Sequence, residues 1–406
     1  MLRAPPCRAR AFGVGRSGLR QIHAATEKFR WYRSVGSRYV PDMSHRPSPH
    51  EHGLGLRTPG RAAGSNATNR FEPYSRERID DGWEPEEDLA VLRTEVREER
   101  PRKVITRNTS PDISFDRSIN PYRGCEHGCN YCFARPSHAY LGLSPGLDFE
   151  TRLVARPAAP EVLRAELLAR GYAPAPIAIG TNTDPYQPIE KERRIMRGIL
   201  EVLAAFNHPV AIVTKGALIE RDIDLLAPMA EKGLVRVGIS VTTLDPTLCR
   251  LLEPRAPAPA RRLATVRRLS EAGNAVHLMV SPVLPALTDH EIEAIVAAGA
   301  EAGARAASSI VLRLPREVAP LFRDWLETHV PDRAERVMGR VRELHGGRDY
   351  DPEWGRRMRG QGPWAELIRA RFDLALRRHG LDRTLPALRT DLFHPPSRSG
   401  DQLALF

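Results

Sequence analysis

From about residue 112 the sequence alternates between short Val- and Ile-rich runs and longer stretches with apolar residues three and four positions apart. The short runs are Ile113–Ser118, Ile177–Gly180, Val210–Thr214, Val235–Val241, Val276–Ser281 and Ser309–Leu314. Helical patterns fall between them, near residues 160–169, 191–206, 221–232, 260–272 and 289–302. β-branched runs separated by amphipathic helices predict βαβ units and a parallel sheet. Such units are too few for the eight of a complete TIM barrel. The expected fold is therefore α/β, a partial (β/α)6 barrel. An open doubly wound sheet fits the same pattern.

The flanks read differently. Residues 1–70 are rich in Arg, Gly, Ser and Pro without apolar periodicity, and are expected to be a disordered basic extension. The acid-free stretch Met1–Thr26 superficially resembles an organellar transit peptide, but its amphipathic spacing is poor. A solvated bacterial extension or an early start codon is the simpler expectation. Residues 71–110 form an acidic lead-in with a helix expected near Glu86–Arg97. The barrel is assigned to 111–330 and an Arg-rich helical region to 331–393, with helices at Arg333–Leu344 and Trp364–His379. Residues 394–406 read as a flexible tail.

The formal charge of +11 is mostly a property of the first 70 residues, where 13 Lys and Arg face 3 acids. It does not by itself argue for nucleic acid. No apolar run is long enough to predict a transmembrane helix.

Three of the five cysteines crowd into the string Asn120-Pro-Tyr-Arg-Gly-Cys125-Glu-His-Gly-Cys129-Asn-Tyr-Cys132-Phe133. An odd total clustered this way is no disulfide framework; it points to thiolate ligation in a reducing compartment, the cytoplasm. The spacing C-x3-C-x2-C follows the first expected strand. Thiolates suit iron–sulfur clusters. Three cysteines on a [4Fe–4S] cubane leave one iron open for the amino and carboxylate groups of S-adenosylmethionine (SAM). One electron then breaks the sulfonium bond to give methionine and a 5′-deoxyadenosyl radical. Gly124 and Gly128 suit a loop wrapped closely around a bulky group. Tyr131 and Phe133 place aromatics where they can pack on the cluster or an adenine. The competing reading is a zinc site with His127 or His138 as fourth ligand, in a non-enzymatic nucleic-acid adaptor.

This triplet resembles that of the radical SAM superfamily. The wider chain from about residue 60 resembles the bacterial branch related to spore photoproduct lyase, the predicted DNA repair photolyases. The strings that carry it are Asn69–Glu72, Asp80–Trp83, Gly180–Pro188, Thr214–Gly216 and Ser281–Pro285. The resemblance implies a partial barrel and SAM cleavage at an iron–sulfur cluster.

In a parallel barrel, functional groups gather at the C-terminal ends of strands. Thr181, Asn182, Thr183 and Asp184 follow the second expected strand, where short polar side chains can bond the SAM amino group. Lys215 ends the third, where an ammonium can pair with the SAM carboxylate. Ser240 lies in the fourth. The resemblance supports Lys215 and Ser240 as SAM contacts. Asp184, Tyr186 and Gln187 are expected substrate or cofactor contacts. The resemblance also exposes a departure. Spore photoproduct lyase uses a cysteine after the second strand to return a hydrogen atom to the product radical. Thr181 aligns there, with an O–H bond too strong for that task. Either the substrate differs or another group such as Tyr186 quenches the radical, and Cys249 is read as an inert small hydrophobe.

For partners, Arg356, Arg357 and Arg359 near Trp354 and Trp364 suit phosphate contact and base stacking. A solvated helix face explains them equally well. Gln402-Leu-Ala-Leu-Phe406 resembles the peptide with which bacterial repair and replication proteins dock on the sliding clamp. DNA is the expected substrate class and flavodoxin or ferredoxin the expected reductant. RNA, a protein or a small molecule is the alternative substrate.

Overall fold

Every apolar run expected after residue 112 becomes a strand. In the computed structural model, which describes residues 60–72 and 92–396, six parallel strands lie side by side in chain order. They are β1 (Arg117–Ile119), β2 (Ile177–Ile179), β3 (Val210–Thr214), β4 (Val235–Ser240), β5 (Val276–Val283) and β6 (Ala306–Val311). Thr106–Arg107 adds a short antiparallel edge beside β1. The helices α1 (Ala159–Leu167), α2 (Ile195–Ala205), α3 (Ile223–Glu231), α4 (Pro259–Glu271) and α5 (Ile292–Glu301) occupy the five crossovers. β1 and β6 do not pair, so the arrangement is a partial (β/α)6 barrel with its two ends open.

Local chemistry explains the elements. α2 buries Ile195, Met196, Ile199, Leu200 and Leu203, a stripe with helical spacing. Its first N–H groups, of Ile195 and Met196, donate to the buried Glu190 carboxylate at 3.0 and 3.1 Å. That carboxylate sits at the positive end of the helix dipole. α4 opens with Pro259, where the missing N–H costs nothing. Ile119, Ile177, Ile179, Ile212, Val237 and Leu278 join the helix faces in one continuous core.

Two expected elements shift. The run at Ile113–Ser118 pairs only from Arg117, because Asp116 turns back to the Arg107 and Arg117 guanidiniums. The helix expected near Glu86–Arg97 is not helical where it is described: Glu95–Glu98 is a strand, parallel to Arg152–Ala155. Pairing with a neighbouring strand overrides the helix propensity of a charged run. Its first residues, the string Asp80–Trp83 and the peptide Gln402–Phe406 lie outside the described residues, as does the extension before residue 60.

After β6 come α6 (Val318–His329), α7 (Pro331–Leu344) and α8 (Gly362–His379). Phe322 and Trp325 of α6 and Val337 and Val341 of α7 form a second core cluster that includes Cys129 and Tyr131. The C-terminal helices thus close the back of the cysteine loop. Some of their arginines are ion-paired: Arg323 and Arg342 with Asp349, and Arg371 with Glu293. No helix among the described residues is long and apolar enough to cross a membrane.

Candidate cluster and SAM site

The chain leaves β1 and enters the cysteine loop at Gly124. Cys125, Cys129 and Cys132 all carry free thiols, and all three line one cleft at the C-terminal ends of the strands. The cleft has a cavity volume of ≈ 190 Å³ and opens to solvent. Its loop is held from behind by Arg135, whose guanidinium is wholly buried. Arg135 donates to the carbonyls of Cys129 (2.9 Å), Gly128 (3.2 Å), Pro145 (3.0 Å) and Gly146 (2.9 Å), and pairs with the equally buried Glu150. Glu150 also accepts the N–H groups of Ala62 and Ala63, each at 3.1 Å. Residues 60–70, counted in the basic extension by composition, therefore pack against the loop where they are described.

Gly124 and Gly128 have φ of +77° and +66°, and added Cβ atoms would stand 2.6 Å from Leu153 Cδ2 and 2.7 Å from Glu150 Oε2. Both glycines are needed, and the space they spare faces the supporting shell behind the loop. Gln187 ties this loop to the next: its Oε1 accepts from Glu126 N at 2.8 Å and its Nε2 donates to the carbonyls of Gly124 and Asp184.

The opposite wall comes from the ends of β2, β3 and β4. Asn182, Thr183, Lys215 and Ser240 reach it, as expected. Asp184 also lines it, but each of its oxygens is taken. Oδ1 accepts from Thr214 Oγ1 (2.5 Å) and Tyr186 N (2.9 Å), and Oδ2 from Lys215 N (2.7 Å), with His127 Nδ1 at 3.3 Å. Burial pushes this carboxyl up, but His127 and the hydrogen bonds outweigh it and hold it down to about 2. Asp184 is a clamp between strands rather than a free ligand. Thr183 Oγ1 donates to the Tyr122 carbonyl at 2.9 Å, and Ser240 Oγ to the Ser281 carbonyl at 2.8 Å.

Two sequence expectations need correction. The Tyr186 hydroxyl donates to Asp222 at 3.1 Å inside the core, is buried, and is not part of the cleft wall. It is in no position to quench a radical there. Thr181 is not part of the wall either, although Gly180 and Asn182 on either side are. Trp364 is half-buried against the core, with Arg340 4.2 Å above its ring, so of the two expected stacking tryptophans only Trp354 is exposed. Phe133 is at the mouth of the cleft, 43 % exposed, and Tyr131 is buried in its wall.

Sequence reasoning missed the buried charge behind Tyr131. Glu253 accepts from the Tyr131 hydroxyl, from Thr242 Oγ1 at 2.8 Å and from the Arg262 guanidinium, and Lys215 Nζ stands 4.0 Å away. Burial raises the Glu253 carboxyl, yet Arg262 and Lys215 hold it at about 2. Burial lowers Lys215, but Glu253, Cys129 and Asp184 together outweigh it and keep the ammonium above its ordinary value. A permanent cation thus faces the cleft, backed by a fixed anion. Nothing marked Glu253 or Arg262 in a sequence crowded with Glu and Arg. Ser281 was equally silent: the residue lines the cleft, and its Oγ is shut off from water with no partner among the described residues.

These features test the fit of a metal group. Among the described residues no three His, Cys, Asp or Glu side chains converge on one point that a single ion could fill. His127 is engaged by Asp184, and His138 Nε2 lies 2.9 Å from the Arg152 carbonyl. Neither ring is grouped with the three thiols into a single-ion site among the described residues. Three soft thiols spread around a cleft suit a multinuclear iron–sulfur group. The orphaned Ser281 hydroxyl and the Lys215 cation suit a polar, partly anionic ligand beside it.

A three-thiol loop after the first strand of a parallel half-barrel, opposite a strand-end lysine, defines a class of proteins that hold a cluster and a nucleoside cofactor together. The chain belongs to the radical SAM superfamily, whose model matches residues 119–298. It is 40% identical over 248 residues to the Mycobacterium tuberculosis protein Rv2578c, covering 61% of this chain and 72% of that one. It is 27% identical over 173 residues to the Methanocaldococcus jannaschii protein MJ0683, covering 43% of this chain and 62% of that one. A solved structure of a spore photoproduct lyase variant superposes with a TM-score of 0.50 at 18% identity, covering 70% of this chain and 80% of that chain. That likeness is one of fold.

Proposed function

We propose that the protein is a radical SAM enzyme that acts on DNA in base or lesion repair. Cys125, Cys129 and Cys132 would hold a [4Fe–4S] cluster, which supplies the electron that cleaves SAM to a 5′-deoxyadenosyl radical. The carrying observation is that these three free thiols share one cleft with Lys215 and the partnerless Ser281 hydroxyl. Lys215 would pair with the SAM carboxylate; Asn182, Thr183, Ser240 and Ser281 would offer hydroxyl and amide groups to its amino and ribose groups. Phe133 would cover the mouth and limit water. Tyr131, fixed through Glu253, would present its ring to the cofactor.

DNA is supported by the resemblance to the spore photoproduct lyase branch, by the exposed Phe133 with Arg313 in the cleft wall, and by the clamp-like peptide Gln402–Phe406. The arginines expected to hold phosphate give less support: Arg356 pairs with Asp351 and Glu353, and Arg357 is bidentate to Asp112. A flavodoxin or ferredoxin would deliver the electron. The experiment is to screen damaged oligonucleotides with anaerobic, reduced enzyme for 5′-deoxyadenosine formation coupled to a change in the strand. Coupling to one damaged DNA is the expected result; coupling only to RNA, a protein or a small molecule would refute the DNA assignment.

A further inference from the structure

Four aromatic side chains are exposed among the described residues: Phe71 (57 %), Phe133 (43 %), Tyr140 (68 %) and Trp354 (57 %). Phe133 lines the cleft, and the other three sit on segments tied to it through the chain or through contacts. Phe133 and Arg313 are part of its wall, with the Arg313 guanidinium 4.3 Å over the Phe133 ring. Tyr140 belongs to the 3-10 helix Arg135–Leu141 that runs on from Cys132. Phe71 leans on Tyr140, ring centroids 5.3 Å apart, and the Arg70 guanidinium lies 4.7 and 5.0 Å from the two rings. Arg70 is anchored by Glu317 at 2.8 Å and by the Pro136 carbonyl at 3.2 Å, which fixes the pair to the chain after β6. Trp354 lies on the turn whose Met358 carbonyl accepts from Val311 N, a residue of the cleft wall.

We propose that this rim is a stacking platform for an unpaired stretch of DNA, with Phe71, Tyr140 and Phe133 receiving bases and Arg313 and Arg316 meeting phosphates. The inference rests on the DNA reading above and states how the strand is held. Solvent exposure of large aromatics is unfavourable unless a partner covers them. Here Phe71 and Tyr140 share the Arg70 guanidinium, and Phe133 carries that of Arg313. Bases stack on such faces at about 1–3 kcal/mol apiece without regard to sequence. The charge fits an anionic strand. Of the acids beside the Phe71–Tyr140 pair, Glu317 pairs with Arg70 and Glu72 accepts from Asn69 Nδ2 at 3.0 Å. Arg313 makes no hydrogen bond or ion pair among the described residues, and Arg316 is exposed beside the Tyr140 phenol. A target base must leave its stack to reach the thiol-lined floor, so its neighbours need a surface outside.

The test is fluorescence anisotropy of a labelled oligothymidylate with the reconstituted, SAM-bound protein. Wild type should bind, and Phe71→Ala with Tyr140→Ala should weaken binding about tenfold or more, whereas Tyr140→Phe should bind as wild type. Arg313→Gln should lower the salt slope by about 1. Unchanged melting temperatures establish that the variants are folded, and Phe71→Leu with Tyr140→Leu repeats the test should the alanines unfold. Wild-type binding that the aromatic variants retain in full would overturn the platform and leave the DNA reading standing. Failure of the wild type to bind either single-stranded or duplex DNA would overturn both. Tighter binding of oligouridylate than of oligothymidylate would overturn the commitment to DNA.

Discussion

Lys215 sits between two claims on its charge. Glu253 stands 4.0 Å from its Nζ, and the cleft lies on its other side. The carboxylate that holds the ammonium protonated is already served by Arg262, Tyr131 and Thr242, so the lysine can turn to a ligand without stranding its partner. Lys215→Ala should therefore weaken SAM by about tenfold or more, the worth of a charge-assisted contact, and leave the fold intact. Isothermal titration of the reconstituted protein with SAM measures it; an unchanged affinity would remove Lys215 from the cofactor site. The residues legible in the sequence were those with unusual spacing or strand-end position: the three cysteines, Lys215 and Ser240. Those that were not legible act through burial. Arg135, Glu150, Glu253 and Arg262 look like any other charge in a chain rich in Arg, and only tertiary placement gives them five acceptors or a buried counterion. Tyr186 misled for the same reason, since a polar string beside a strand end does not say which side chains turn inward.

At the scale of elements, the sheet is joined by side chains as well as ladders. His277 on β5 lies 2.8 Å from Ser308 Oγ on β6, and burial together with nearby Arg236 lowers its pKa to about 4. His208, which opens β3's approach, lies 2.7 Å from the Tyr172 hydroxyl and is lowered by burial to about 4 as well. An imidazole depressed in the fold takes up its proton more readily when unfolded. Stability should thus hold above about pH 6.5 and fall as pH drops toward 4, by up to about 3 kcal/mol per histidine. Urea unfolding at pH 7 and pH 5 reads this, and His277→Leu should flatten the profile; an equally steep profile in that variant would assign the loss elsewhere. The strand and helix order was legible because period 2 runs and helical stripes alternate cleanly after residue 112. Glu95–Glu98 was not, because its strand is made by its partner Arg152–Ala155, and a charged run carries no trace of that pairing.

Across the whole molecule, the C-terminal helices and the barrel share the structure behind the cysteines. Trp325 donates from Nε1 to the Leu251 carbonyl at 3.1 Å and packs in the cluster that contains Cys129 and Tyr131. Part of the Arg-rich composition that suggests a phosphate-binding appendage serves internal ion pairing, Arg342, Arg356, Arg357 and Arg371 among it. The peptide Gln402–Phe406 makes a separate claim about location. Deleting it should abolish retention on an immobilised bacterial sliding clamp without altering SAM cleavage; equal retention of the shortened chain would exclude that docking.

The proposed chemistry depends on what the three thiols hold. Anaerobic reconstitution with iron and sulfide, followed by chemical analysis of both, tests it most directly. The wild type should carry about four irons and about four sulfides per chain, and Cys129→Ala should lose them together with dithionite-driven release of 5′-deoxyadenosine. Wild-type protein that takes up no sulfide and instead retains a single zinc would contradict the account.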